Sequence, residues 1–394
     1  MAKVNLSAVC ALVLGVVSMA ARAQIPGLEP EKRWDLNGYV KYMATYTVPD
    51  QANNGLDHLL HQRFNFEYRF DHGLRFNASM RNRVFVGDSL DNPHFGNFVA
   101  FDNGYMDLSK NVKESDSVVI NSQLDRLFLD WQGEQWRARV GRFRINWAMN
   151  TIWNPNDLFN AYSIYDFDYA EKQGSDALMI GRKLGFADGA EWVVNPNQDG
   201  ELNSYAARYY GNSRGWDYQF VAGKSHLDNV LGIGFATDWQ GAGVRGELTW
   251  FSPRKDWYKG APQEKNTVAS LETDYSFGGK RSWLARAAWL YIENPTNVAN
   301  AQLYLSLPLN AKTLSFTHNT VYLDVSFDFS ALNRMTISTS YYQDESYFIG
   351  LSNAYSLAND WQILMVLQRF DGGGSSLFGQ TASTLLYANI KWSF

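Results

Sequence analysis

The feature that most constrains this chain is a two-residue alternation of polar and apolar side chains, which recurs along most of its 394 residues. In residues 60–71, large apolar side chains such as Phe64, Phe66 and Tyr68 alternate with polar ones such as Arg63 and Glu67. Successive side chains of a β-strand point to opposite faces, so this period predicts strands with one polar and one apolar face. No helical period competes with it.

Short turns rich in Gly, Asn or Asp divide the alternating segments, near residues 72, 133, 187, 213, 241, 279, 332 and 359. A strand on each side of every turn, together with the first and last strands, gives about 18 strands, with about 16 as the main alternative. The predicted fold is all-β, a transmembrane antiparallel up-and-down barrel over residues 34–394. A soluble sandwich would not need aromatic residues at so many strand ends, and no propeller-length repeat is present.

Composition favours a barrel in a membrane over a soluble sheet. Trp, Tyr and Phe make up 15% of the chain, and aromatic side chains suit the two interfaces between lipid and water. An outward charge near the middle of a bilayer costs about 2–4 kcal/mol, so arginines at alternate positions are expected to face the interior. The formal net charge of −5 gives no electrostatic case for a nucleic-acid partner.

Residues 1–23 are predicted to be a cleaved secretory signal peptide. They contain Lys3, an apolar run from Leu6 to Met19 that is short for a spanning helix, and the small-residue site 21–23. Residues 24–33 are expected to form a periplasmic segment before the barrel. Cys10, the only cysteine, lies within this signal, so we expect no disulfide, zinc ribbon or cysteine nucleophile in the mature chain.

The last strand carries a signature of its own. Leu386, Ala388, Ile390 and Trp392 alternate with polar residues, and the sequence stops at Phe394. An aromatic residue that closes an alternating strand in this way resembles the assembly signal of bacterial outer-membrane barrels. Phe394 is therefore predicted to be recognised by the barrel-assembly machinery.

No catalytic, cofactor or metal site is predicted, and an enzyme is not expected. Residues 241–246 have the glycine spacing of a dinucleotide-binding loop, but they open an alternating strand and offer no helix N-terminus for a pyrophosphate. His58 and His61 have a spacing that could bind a metal only on a helix, and they fall at the start of a strand. No serine, histidine and acid set can be assembled from neighbouring strands.

Arginines are concentrated between residues 61 and 145. Those predicted to form a basic wall of the pore are Arg63, Arg69, Arg75, Arg81, Arg137, Arg139, Arg142 and Arg144. Most occupy inward positions of consecutive strands, so they would line one side of the interior as a ladder of cations. In a structural alternative, several of them pair with acids such as Glu67 and Asp130 to brace the wall. Both roles can coexist.

The segment from Trp147 to Asp176 is too long and too aromatic for a simple connection. Residues 154–157 (Asn-Pro-Asn-Asp) predict a turn with apolar residues on both sides, and we expect the segment to fold into the interior as a constriction. Acidic residues of the segment would then face the arginine wall: Asp157, Asp166, Asp168, Glu171 and Asp176. The alternative is an outer loop whose acids meet solvent or a divalent cation.

A family resemblance lies in the same region. Residues 139–147 (Arg-Val-Gly-Arg-Phe-Arg-Ile-Asn-Trp), 153–157 and 166–176 resemble porin-like barrels of Gram-negative outer membranes, of the alginate-export and porin type. The resemblance implies a channel whose lumen is set by arginine and acidic residues, in contact with outer-membrane lipid and lipopolysaccharide. Homotrimers are common among such proteins. The resemblance implies no particular substrate.

The function predicted from these features is passive diffusion of small polar solutes through an outer-membrane channel, with a preference for anions. One alternative is export of an acidic polysaccharide along the arginine ladder. A second alternative is a closed barrel with a structural or adhesive role.

Reversing Arg137 and Arg139 to glutamate is expected to shift the ion selectivity toward cations, because two positive charges of the predicted wall become negative. The reversal potential of the double variant in a planar bilayer under a salt gradient measures this shift. An unchanged reversal potential would mean that these two residues do not line the pore.

Overall fold

The chain forms one closed antiparallel barrel of 18 strands in a computed structural model that describes residues 32–168, 171–306 and 309–394. Each barrel strand pairs with its neighbours in sequence, and the first strand pairs with the last. The predicted all-β barrel is confirmed, with 18 strands rather than 16. The predicted signal peptide and residues 24–31 of the predicted periplasmic segment lie outside the described residues.

The barrel strands are β1 Trp34–Pro49, β2 Gly55–Arg69, β3 Leu74–Gly87, β4 Val118–Gln132, β5 Trp136–Phe143, β6 Ser175–Lys183, β7 Gly189–Asn195, β8 Ser204–Ser213, β9 Trp216–Ser225, β10 Asp228–Trp239, β11 Ala242–Pro253, β12 Asn266–Gly278, β13 Trp283–Ile292, β14 Asn319–Ser330, β15 Asn333–Tyr342, β16 Ser346–Ala358, β17 Trp361–Gly372 and β18 Ser383–Ser393.

The connections contain only short elements. The helices are α1 Phe95–Ala100 and α2 Ala301–Ser306, and the 3-10 turns are Asp71–Gly73, Asp88–Asp91, Gly200–Leu202, Ala311–Thr313 and Gly379–Thr381. Three short strands lie in loops: Ser109–Ser115, Trp257–Tyr258 and Ala261–Pro262. Among the described residues, no helix has the length and apolar character needed to cross a membrane.

All eight predicted turns are present, and they lie together at one end of the barrel, which we call the turn end. The two-residue turns Arg214-Gly215 and Gln240-Gly241 have positive φ at both residues, as type I′ hairpin turns require. The opposite end, the loop end, carries the long connections 88–117, 144–174 and 293–318. Along the chain, tight turns at one end therefore alternate with longer connections at the other, as in transmembrane up-and-down barrels.

The two faces of the wall differ as the alternation predicts. On β14, Val321 and Leu323 are exposed on the outer face, whereas Tyr322 and Asp324 are buried on the inner face. Exposed tryptophans lie on the outer face near the turn end of seven strands: Trp34, Trp131, Trp136, Trp216, Trp239, Trp283 and Trp361. The outer surface is therefore apolar, with a belt of tryptophans around the barrel at the turn end.

The wall is irregular between β4 and β6. β5 and β6 have only 8 and 9 residues, compared with 16 in β1. The loop strand Ser109–Ser115 pairs with the loop-end half of β4, residues 118–123. A segment of a connection thus completes the sheet where the neighbouring barrel strands are short.

The seam between β1 and β18 closes the barrel at a tightly packed glycine. The Gly38 amide donates to the Phe394 carbonyl oxygen at 3.0 Å, and the Phe394 amide donates to the Gly38 carbonyl oxygen at 3.0 Å. A Cβ atom at Gly38 would overlap the carbonyl oxygen of Arg63 and lie 2.9 Å from the Phe394 ring. Only glycine fits between β2 and the last residue at this point.

Replacing Gly38 by valine is expected to weaken closure by about 1–3 kcal/mol, because the new side chain forces the backbones of β1 and β2 apart. The measurement is the temperature at which the folded barrel loses its compact migration in a detergent gel. Gly374→Ala is the control, since a Cβ atom at that position would have no neighbour within 4 Å. Equal unfolding temperatures for the two variants would contradict the prediction.

Candidate functional site: the inner loop and its charges

The connection between β5 and β6, residues 144–174, runs inside the barrel, and we call it the inner loop. It starts against β7 and β9, where the Trp147 indole donates to Glu191 at 2.8 Å and the Gln219 amide donates to the Trp147 carbonyl oxygen at 2.8 Å. Glu191 and Gln219 occupy inward positions, and Trp147 is only 1% exposed. The segment predicted to form a constriction therefore does enter the interior.

Two glutamates on the inner wall hold the first half of the inner loop. Glu247 on β11 accepts hydrogen bonds from the backbone amides of Met149, Asn150 and Asn156. Glu272 on β12 accepts hydrogen bonds from the amides of the next two loop residues, 151 and 152, at 2.8 and 2.9 Å. An irregular segment inside a barrel needs partners for its backbone groups, and charged acceptors make the stronger bonds. These carboxylates thus fix the loop against this wall.

Apolar packing supports the same half of the inner loop. Its buried members Ile145, Trp147, Ile152, Trp153 and Leu158 form one cluster with inward side chains of strands β5–β14. The wall members of this cluster are Phe143, Ala177, Met179, Val193, Ala206, Val221, Val230, Phe251, Val268, Ala288, Leu290, Ile292 and Tyr322. Fully burying one large apolar side chain contributes about 1.5–3 kcal/mol, so this contact is a main source of stability for the loop.

The second half of the inner loop returns along the other side of the interior. The hydroxyl of Tyr165 hydrogen-bonds to that of Tyr342 on β15, and the Tyr165 carbonyl oxygen accepts from Gln368 on β17 at 3.1 Å. Further on, the ammonium of Lys41 on β1 donates to the Asp168 carboxylate at 2.5 Å. The loop therefore crosses the interior and contacts opposite parts of the wall.

A β-bulge in β4 directs two consecutive side chains toward the end of the inner loop. The pairing with β3 skips Asp125, so both Asp125 and Arg126 reach the interior. Asp125 accepts a hydrogen bond from Arg63 at 2.6 Å, while Arg126 donates to the carbonyl oxygens of Glu171 and Lys172 at 2.8 and 2.6 Å. The bulge thus supplies an ion pair within the wall and an anchor for the loop.

Five of the eight predicted wall arginines form ion pairs. The pairs are Arg69 with Glu67, Arg137 and Arg139 with Asp130, Arg63 with Asp125, and Arg142 with Asp102 and Asp176. Pairing with Glu67 and Asp130 is the bracing arrangement that the sequence left open. Because each of these guanidinium groups faces a carboxylate, much of the predicted ladder is neutralised.

Arg63 and Arg142 differ from the expectation that they line the pore. Each is only 2% exposed, Arg63 because the inner loop covers it and Arg142 because it lies where β5 ends, beneath residues 102–106. Arg81 donates to Gln123 at 2.8 Å. Arg75 near the turn end is exposed and has no ion pair within the described part of the chain. The eight arginines therefore do not form one continuous cationic surface.

Two cations of the inner loop share one aromatic ring. The Arg144 guanidinium lies 5.5 Å from the centre of the Tyr162 ring, and the Lys172 ammonium lies 4.6 Å from it. Neither forms an ion pair with a carboxylate within residues 32–168, 171–306 and 309–394. Burial and the nearby Arg144 lower the pKa of Lys172, against the opposing effect of Asp166 and Glu171. This pair, which we call the Tyr162 cation pair, is half-buried, and the nearby acids Asp157, Asp166 and Glu171 act on it only at longer range, without a direct ion pair.

The carboxylates of Glu171, Asp176 and Asp168 form ion pairs with cations. Glu171 lies 3.7 Å from Arg63, and Asp176 bonds to a second predicted wall arginine. Asp168 pairs with Lys41, a residue that was not predicted. These acids and the cations of the wall therefore meet near the end of the inner loop, where they form direct ion pairs.

The other two acids, Asp157 and Asp166, form no ion pair with Arg144 of the predicted wall. Asp157 is 1% exposed and accepts a hydrogen bond from the Asn160 amide at 3.2 Å. Burial raises the pKa of Asp157 to about 7, although Arg144 acts in the opposite direction. Asp166 is exposed and accepts a hydrogen bond from the Asp168 amide at 3.1 Å. Arg144 therefore acts on Asp157 through its charge but forms no direct ion pair with either of these acids.

The structure adds residues that the sequence did not single out, above all Glu247, Glu272 and Lys172. One signal was available for the docking face: residues 177–180 (Ala-Leu-Met-Ile) are apolar on both faces of β6, which implies an apolar partner inside the barrel. For the glutamates no local signal exists, because their partners are backbone amides roughly a hundred residues away in sequence.

The described residues contain no group of His, Cys, Asp and Glu side chains that could hold a metal ion. His58 stacks on Tyr42 at the outer face, whereas His61 is buried beside Tyr39 on the inner face. The two histidines therefore point to opposite sides of β2.

Known proteins resemble this chain in fold but not in sequence. No family model and no curated protein match the chain. Pseudomonas aeruginosa OccK5 (OpdH) is similar in structure, with a TM-score of 0.58, 10% identity, and coverage of 91% of this chain and 98% of that chain.

Two further structures from Pseudomonas aeruginosa are similar to the same extent. OccK11 (OpdR) has a TM-score of 0.58 at 6% identity and covers 92% of this chain and 96% of that one. The outer membrane protein OprD has a TM-score of 0.58 at 7% identity, with coverage of 92% and 93%. At these identities the likeness concerns the fold alone, an 18-stranded antiparallel β-barrel, and it does not single out the alginate-export type.

Replacing Glu272 by glutamine is expected to loosen the inner loop by about 1–3 kcal/mol, because the neutral amide is a weaker acceptor for the two loop amides. The expected result is faster proteolytic cleavage of the inner loop in an otherwise folded barrel. Glu264→Gln, at an exposed position in the connection between β11 and β12, is the control. Cleavage at the same rate in both variants would show that Glu272 does not anchor the loop.

Proposed function

We propose that this protein is an outer-membrane channel for the passive diffusion of small polar solutes, with a preference for anions. The apolar outer face and the tryptophans at the turn end support a membrane setting, since such residues suit hydrocarbon and its interfaces. In this proposal the turn end faces the periplasm and the loop end faces the outside, and Phe394 acts in assembly after export by the predicted signal peptide.

The observation that carries the anion preference is the Tyr162 cation pair. Most predicted wall arginines have a carboxylate beside them, so their net effect on a passing ion is small. Arg144 and Lys172 have no such partner in the described residues and lie on the segment that narrows the passage. Unpaired positive charge at a constriction lowers the energy of an anion and raises that of a cation.

A closed barrel is the competing function, because the inner loop contacts many parts of the wall. Absence of conductance in folded protein would favour it. Export of an acidic polysaccharide is less well supported, because Arg137 and Arg139 share Asp130 and so keep only one net positive charge between them as a track.

Replacing Arg144 and Lys172 together by glutamine is expected to lower the anion-to-cation permeability ratio. Two unit charges about 8 Å from a passing ion stabilise an anion and destabilise a cation by about 1 kcal/mol each in water, and this difference of about 2 kcal/mol corresponds to about a thirtyfold change in that ratio. The measurement is single-channel conductance with the reversal potential under a potassium chloride gradient.

The matched control is Lys255→Gln with Lys259→Gln, which removes two positive charges from an exposed outer connection where the side chains are 58% and 69% exposed. A shift of equal size in the control would contradict a local effect of the Tyr162 cation pair. A wild-type channel without anion preference would overturn the selectivity and leave the diffusion channel standing.

A further inference from the structure

A cavity of about 330 Å³ opens at the loop end, on the outer side of the inner loop. Residues of the inner loop, among them Leu158 and Phe159, form part of its lining, and the remainder comes from the loop-end ends of barrel strands and from connections at the loop end. The volume lies at the lower end of the range typical of small-molecule sites, about 300–1,000 Å³. The cavity is separate from the Tyr162 cation pair, whose residues do not line it.

Charges that line this cavity are balanced by near neighbours. Asp228 is buried and its carboxylate binds the Lys312 ammonium at 2.7 Å. Asp176 is held by Arg142 at 2.7 Å. A charged solute would find no unbalanced opposite charge there, so the electrostatics favour an uncharged ligand.

Five side-chain amides line the cavity, and each has one end in an internal hydrogen bond. Three use their oxygen: Asn103 accepts from Gln173, Asn197 from the Asp199 amide and Asn310 from the Lys312 amide. Two use their nitrogen: Asn195 donates to the Asp176 carbonyl oxygen and Gln263 to that of Ala261.

The opposite ends of these amides make no hydrogen bond within the described residues. They comprise three NH₂ donors, on Asn103, Asn197 and Asn310, and two carbonyl acceptors, on Asn195 and Gln263. None of these five amide atoms is both fully buried and without a hydrogen-bond partner, so they are accessible to a ligand. A hydroxyl group both donates and accepts, and it is therefore the ligand group that matches such a mixed set.

We propose that this cavity is a capture site for a neutral polyhydroxylated solute of mono- to disaccharide size. The solute binds at the loop end through hydroxyl groups that accept from the free NH₂ groups and donate to the free carbonyl oxygens. This site goes beyond the proposed anion preference, since it selects by hydrogen bonding and shape where the Tyr162 cation pair selects by charge.

The test is isothermal titration of the folded full-length protein with maltose, glucose and glucuronate. An amine-oxide detergent is required, because the maltose headgroup of a maltoside detergent would compete with the sugar that is titrated. Maltose or glucose is expected to bind, and glucuronate is expected to bind no more tightly than glucose. Asn103→Leu with Gln263→Leu is expected to weaken sugar binding about tenfold, since two hydrogen bonds of about 0.7 kcal/mol each are lost.

The matched control is Asn54→Leu with Gln198→Leu, two amides at the loop end that do not line the cavity. It is expected to bind sugar like the wild type. Gln263→Leu alone, with a smaller loss in the same direction, replaces the double variant if that variant does not fold.

Three results would overturn the proposal: no binding of maltose or glucose to the wild type, equal affinity in the cavity and control variants, or tighter binding of glucuronate than of glucose. The reversal potential, measured in potassium chloride without sugar, tests the anion preference independently. Failure of one proposal is thus distinguishable from failure of the other.

Discussion

Backbone pairing between β1 and β18 is the interaction on which the rest of the structure depends. Their register runs from Tyr39 opposite Ser393 to Pro49 opposite Ser383, and it leaves the barrel without a free edge. Closure also gives the two-residue alternation its meaning, because each side chain then faces either the interior or the surroundings. The tight fit at Gly38 shows how little tolerance the seam has.

Closure creates an interior in which the inner loop must find its own partners. The wall supplies them unevenly. Strands β6–β14 offer small and apolar side chains together with Glu247 and Glu272, and they hold the first half of the loop. The wall from β1 to β5 offers charges, most of them paired, and it meets the end of the loop. The first half of the loop thus lies against β6–β14 and its end against β1–β5, and ion pairs occur on both parts of the wall.

Strand order, strand number and turn positions could be predicted from the sequence because they depend on local features. Alternation marks each strand, and turn residues such as Arg214-Gly215 mark each reversal. The entry of the inner loop was also predictable, from its length and aromatic content. The burial of Arg63 and Arg142 was not, because it depends on which loop segments cover them.

Contacts between distant segments could not be read from local patterns either. The bulge at Asp125 shifts the facing of β4 by one residue, and no turn residue or change of composition announces it. The acids Glu247 and Glu272 look like ordinary inward residues of alternating strands until the loop lies over them. The lack of a direct ion pair between Arg144 and the acids of its own loop likewise emerges only once its neighbours are placed.

The loop strand Ser109–Ser115 has a consequence for how this protein can vary. Most connections at the loop end add to the rim, so they can change in length without altering the barrel. The connection that carries Ser109–Ser115 is instead part of the sheet beside β4, where β5 and β6 are short. A deletion there would expose the hydrogen-bonding edge of β4 and open a lateral gap in the barrel wall. The length and pairing of this connection are therefore constrained as those of a barrel strand are.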